Sequence, residues 1–221
     1  MSNGIVPVSD EQAKAIQEGF KLGGQSLEAA RAFGGYMARI FGTVPEDIVG
    51  LMFGDALRLK RVENIVKMAT KARERLEARG VKEQQEVPLS LGLPLLEAAS
   101  DEDRDELVDL WARLLAAAMD PARSPHMSAR FVAVVKAMDP IDARVLWRLR
   151  SGVTANPAGS SKQSLADTLS VNPDQIQMAF ESLKQLNLVA PWTAYVLEPQ
   201  APIENVTLTA AGREFLLAVG D

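Results

Sequence analysis

The sequence predicts a mainly α protein, with a helical N-terminal and central region and a C-terminal module of helices carrying a small two-stranded antiparallel sheet. Three observations predict it. Hydrophobic residues make up 47% of the chain but aromatics only 5%, with Ala and Leu dominating, a composition that favours soluble helices. Apolar residues recur at the 3.6-residue period along most of the chain. Only past residue 186 do short strand-like stretches appear, separated by a proline-bearing turn. With 221 residues, one large or two small domains can each bury a core.

Ser9 and Gln12 form a capping box for a first helix over about 10–22, ended by Gly23-Gly24. A second helix, over about 26–41, places Leu27, Ala30, Phe33, Met37 and Ile40 on one face. Thr43 and Pro45 open a long third helix that stops before Gly80, a residue suited to the left-handed C′ position. Residues 81–93 read as a linker, and Pro94 starts a short helix ending near Ser100. Ser100 with Asp103 is expected to cap the next helix, whose face is Leu107, Leu110, Trp111, Leu114 and Leu115 and which Asp120-Pro121 ends. Another helix covers Phe131–Met138.

The last third begins at Asp139-Pro140, where Asp142 caps a helix. A flexible-looking loop over 151–161 follows, then a short helix, a tight turn at Ser170–Asn172 and a second helix capped by Asn172-Pro173. A strand-like stretch over Asn187–Leu197, a second short strand and the helix of LTAAGREFLLAV complete it. That order is the plan of a winged helix-turn-helix, a common DNA reader. Three units are expected: residues 1–44, glycine-rich amphipathic helices; 45–138, the central helical region; and 139–221, the winged module.

The charge pattern argues against DNA reading by that module. Residues 139–221 hold six Lys/Arg against nine acids. The exposed face of its recognition helix would be Asp174, Gln175, Gln177, Met178 and Glu181. Gln175 or Gln177 could read adenine, but Asp174 and Glu181 would meet phosphates, and most affinity for DNA comes from phosphate contacts. Docking or dimerisation is the preferred use.

Residues 56–82 carry the opposite sign, nine Lys/Arg against three acids. Lys60, Lys67, Lys71, Arg75 and Arg79 follow the helical period and form one stripe, which calls for an anionic counterpart because like charges at i,i+4 repel. The preferred counterpart is internal: residues 97–109 hold seven acids and one arginine. A phosphate backbone or an anionic lipid surface is the external alternative.

The chain has no cysteine, which excludes disulfides and thiolate chemistry and fits a reducing cytosol. No apolar window reaches membrane-spanning length, and MSNGIVPVSDEQ does not have the pattern of a secretory signal; a cytoplasmic location is expected. His126, the one histidine, has no ligand-spaced acid beside it and reads as an ordinary exposed residue. No nucleophile elbow, phosphate-cradling loop or zinc-protease motif occurs. No enzyme activity, cofactor, metal or small-molecule substrate is therefore expected. Gly19-x-x-x-Gly23 and Gly50-x-x-x-Gly54 read as close helix packing, with a membrane-active role for the first two helices as the minority alternative.

Several motifs between about 50 and 150 go beyond periodicity. They are Gly54-Asp55; Arg58, Arg61 and Asn64; Lys71-Ala72 with Leu76 and Gly80; Pro94-Leu95-Leu96-Glu97 with Ala99-Ser100; and Leu110-Trp111-Ala112 with Leu114-Leu115-Ala116. Together these segments resemble the bacterial abortive-infection alpha family. The resemblance implies a link to abortive infection, in which a cell arrests itself to block phage spread, and it carries over no catalytic residues. Leu96, Trp111 and Leu114 read as core, while Arg58, Arg61, Asn64 and Glu97 are the polar members, expected to form an intramolecular Arg–Glu latch. The function expected is contact with a protein partner or self-association. A DNA-binding regulator using the winged helix with the basic stripe, and a membrane effector, are the alternatives.

Overall fold

The long basic helix stops where its glycine predicts. In a computed structural model, which describes residues 34–35, 37–38, 40, 58–152, 160–191 and 205–220, helix α1 spans Arg58–Ala78. Gly80 follows it with φ of +69°. The Gly80 and Val81 amides donate to the Glu77 and Leu76 carbonyls, closing the helix end in the Schellman pattern. A Cβ on Gly80 would meet nothing within 4 Å, so Gly80→Ala should cost only the left-handed strain of about 1 kcal/mol. That cost would be read as a lower urea midpoint with an unchanged m value.

Helix α2 spans Leu89–Ser100 and starts five residues before the position expected from Pro94. Pro94 lies inside it, exposed. The helix gives up one backbone bond there, while Leu95, Leu96 and Ala99 still reach the core. Helix α3, Asp105–Met119, is likewise not capped as expected. Arg104 occupies the cap position without a side-chain bond, the Ser100 hydroxyl donates back to the Glu97 carbonyl, and the Glu102 carboxylate accepts from the Arg104 amide.

Twelve of the fifteen residues of α3, rather than one face alone, are buried. Its alanines at 112 and 116–118 let neighbours approach on every side. Accordingly α3 touches α1, α2 and the helices that follow it: α4 (Ala129–Lys136), α5 (Pro140–Gly152) and the closing α8 (Ala210–Val219). Trp111 is 1% exposed. From the N-terminal region, Met37 and Ile40 are helical and fully buried in the same core, as their period predicts. The rest of the expected first two helices, and both glycine pairs, lie outside the described residues.

The C-terminal module follows the expected element order, with one strand more than expected. After α5 come β1 (Ser160–Ser161), α6 (Lys162–Leu169), α7 (Pro173–Gln185), β2 (Val189–Pro191), β3 (Asn205–Leu208) and α8. The sheet is antiparallel and ordered β1-β3-β2; the extra strand pairs only two residues, too few to leave an alternating signature. Ser170, at φ +53°, makes the turn between α6 and α7. Asn172 and Gln175 form a reciprocal capping box at the start of α7. At the far end of α7, Asn187 takes φ +59°, a conformation asparagine tolerates better than most residues. Asp142 sits buried in the first turn of α5, accepting from the Asp139 amide and the Ser182 hydroxyl of α7. Buried residues of the central region and of this module form one continuous cluster.

Candidate functional site

The basic stripe of α1 lies against the acids of α3. Lys67 meets Asp105 at 2.5 Å, Arg75 pairs with Asp109, and Arg79 stands 4.0 Å from Asp120. Arg61, six residues before Lys67, reaches Asp101 at 2.7 Å. The partner numbers rise together along both helices, so α1 and α3 run parallel and the acidic start of α3 faces the middle of α1. The Lys67 hydrogen bond and charge, with the charge of Lys71, hold the Asp105 carboxyl below its ordinary range. Burial alone would push the Asp109 carboxyl up, but the bonds and charges of Arg113 and Arg75 outweigh it and leave it lowered. Lys71 is half-buried beside this seam, and Lys60 is exposed at the start of α1.

The far end of the stripe meets a helix terminus. Arg79 donates to the Gly220 carbonyl at 2.6 Å, Arg113 to Val219 at 3.1 Å, and Arg123 to Leu217 and Gly220. Three guanidinium groups from the central region thus satisfy carbonyls that the end of α8 leaves open, at the negative end of its dipole. Linear sequence offers no signal for this cluster, because its partners are backbone atoms some 100 positions or more away for Arg79 and Arg113.

The polar members of the family motif divide differently from the expected latch. Arg61 pairs with Asp101, one turn past Glu97. Asn64 is buried, and its amide donates to the Ser100 carbonyl at 2.9 Å, tying α1 to the end of α2. Glu97 is exposed on α2. The side chain of Arg58 lies outside the described residues.

On α7, Asp174, Gln175 and Met178 are exposed, and Gln177 and Glu181 half-buried. Gln175 spends its side-chain oxygen on the Asn172 amide, and Gln177 donates to Glu181 at 3.2 Å. Met178 is 72% exposed, a large apolar side chain on the helix that also carries Asp174 and Glu181. The proline-bearing turn expected after Leu197 lies outside the described residues. His126, exposed as expected, stands 3.2 Å from Glu214 of α8, an acid that sequence distance had hidden. Among the described residues, no group of three His, Asp or Glu could hold a metal ion, and no helix is long and apolar enough to cross a membrane.

A protein-family model described as abortive infection alpha matches residues 60–219. No curated protein and no solved structure matches the chain.

Proposed function

The chain belongs to the abortive infection alpha family, and on that premise we propose that it is a non-enzymatic defence or stress protein acting through protein contacts or self-association. The observation that carries this reading is the pairing of the Lys67–Arg79 portion of the basic stripe with α3 and the end of α8. Lys67 and Arg75 have carboxylate counterions within their own fold and Arg79 is held by the Gly220 carbonyl, so releasing them for phosphates would cost those bonds.

The order of α5, α6, α7, β2, β3 and α8 supports reading the C-terminal module as a winged helix-turn-helix, and in this reading α7 is a docking helix. Its outer face is acidic, its two glutamines are engaged within the helix, and Met178 supplies an adaptable apolar contact. A major-groove helix would need donors at these positions.

Two measurements test the proposal. Anisotropy of labelled random duplex DNA, at about 50 and about 200 mM salt, should show no binding at either; micromolar binding that collapses at the higher salt would favour the regulator. Sedimentation velocity should show a mass that rises with concentration and falls back with Met178→Asp. A monomer at every concentration would remove self-association and leave docking of another protein.

A further inference from the structure

A cleft of about 340 Å³ opens between α3 and α5, and Leu169 at the end of α6 closes it. That volume lies at the small end of the range for ligand sites. Its floor is apolar, made by Leu110, Ala143 and the Trp147 ring. The ring is pinned: the Arg113 guanidinium lies 4.2 Å and that of Arg150 4.9 Å from its centroid, contacts that hold an aromatic side chain in place. A rigid apolar wall limits the ordering cost of binding.

The mouth is cationic. Arg144 and Arg148, one turn apart on α5, both line the cleft and both are exposed. Arg144 donates to the Leu169 carbonyl, which fixes its side chain across the opening. Arg148 enters no ion pair among the described residues. Of the acids in the lining, Asp109 is bound to Arg75 and Arg113. Glu106 alone opposes the two arginines. Two like charges at i,i+4 repel until an anion lies between them, and guanidinium pairs suit a carboxylate or phosphate.

We propose that this cleft binds a small organic anion: a ring or short apolar chain bearing one carboxylate, sulfonate or phosphate. The acid group lies between Arg144 and Arg148, and the apolar body rests on Leu110, Ala143 and Trp147. The site joins α3 of the central region to α5 and α6 of the C-terminal module, so an occupant bridges the two. This inference does not depend on how the protein meets its partners.

The test uses full-length protein and 1-anilinonaphthalene-8-sulfonate, an aromatic body with a single negative charge, followed by dye fluorescence. One saturable site is expected, with an Overhauser contact between the dye and the Trp147 indole. Arg148→Glu, at an exposed position, should raise Kd about tenfold or more, and Ala143→Leu should fill the cleft and abolish binding. The uncharged analogue N-phenyl-1-naphthylamine should bind at least about tenfold more weakly than the sulfonate. Circular dichroism shows that each variant is folded; should Ala143→Leu not fold, Arg148→Glu and the indole contact still decide. No saturable binding, binding unchanged in Arg148→Glu, or equal affinity for the uncharged analogue would overturn the proposal.

Discussion

Gly212→Ala should destabilise the protein by about 3 kcal/mol or more, although alanine is the better helix former. Gly212 is the third residue of α8, where its amide donates to the capping hydroxyl of Thr209. A Cβ there would stand 2.0 Å from the Leu188 carbonyl oxygen and 2.9 Å from its carbon. Both are backbone atoms, so no side chain can swing aside. Relief requires α8 to move off the start of β2. That movement breaks the Thr209 amide bond to Leu188 and the Thr209 hydroxyl bond to Asn187, each worth about 1 kcal/mol, and it opens the packing of Phe215 on Phe131. The gain in helix propensity, about 1 kcal/mol, is too small to compensate. Urea unfolding followed by circular dichroism checks this. A midpoint equal to that of the parent would mean that α8 can slide without loss.

The contrast between Gly80 and Gly212 shows which parts of the fold local sequence carries. Gly80 is needed for its own backbone angle, and a glycine after a long periodic helix announces that locally. Gly212 is needed because another segment of backbone passes it, and nothing within LTAAGREF says so. The same division holds for the caps. Asn172-Pro173 caps α7 among neighbouring residues and was legible, whereas Gln175, read as a face residue, turns out to complete the box. Ser100 with Asp103 has the right spacing, yet Ser100 turns back into α2 and its carbonyl is taken by Asn64 of α1. Pro94 misleads for a related reason: a helix beginning at Leu89 can lose one bond when Leu95, Leu96 and Ala99 reach the core in return.

The candidate surfaces divide in the same way. Opposite net charge in 56–82 and 97–109 is enough to expect that the two helices pair, and the parallel run of α1 and α3 realises it. Which cation meets which acid depends on the rotation of both helices and cannot be read from charge alone. The three-arginine clasp on α8 and the α3–α5 cleft join residues from separate helices, some of them through backbone carbonyls. Periodicity says nothing of either.

Asp109→Ala should be the costliest of the charge removals, at about 3 kcal/mol. Its carboxylate accepts from Arg75 on one oxygen and from Arg113, at 2.7 Å, on the other. The Arg113 side chain is 9% exposed and that of Asp109 30%, so removal takes from two largely buried cations the carboxylate they share. Partial exposure places the cost at the low edge of what a buried pair loses. Asp105→Ala should change stability far less, because Lys67 and Asp105 are 45% and 75% exposed and water replaces the lost partner. The pH dependence follows from direction. The folded carboxyl of Asp109 titrates below the ordinary aspartate value of 3.8, so its stabilisation is complete above that value and disappears as pH falls through the lowered one. Asp142 runs the other way, since burial raises its value and its contribution declines as pH rises through it. The stability difference between parent and Asp109→Asn removes that opposing trend: it should be constant near neutrality and close below about pH 4. A difference that persists into strong acid would mean that the carboxylate's charge is not what holds the seam. Arg113 also lies against Trp147, so loosening it should mobilise the wall of the α3–α5 cleft.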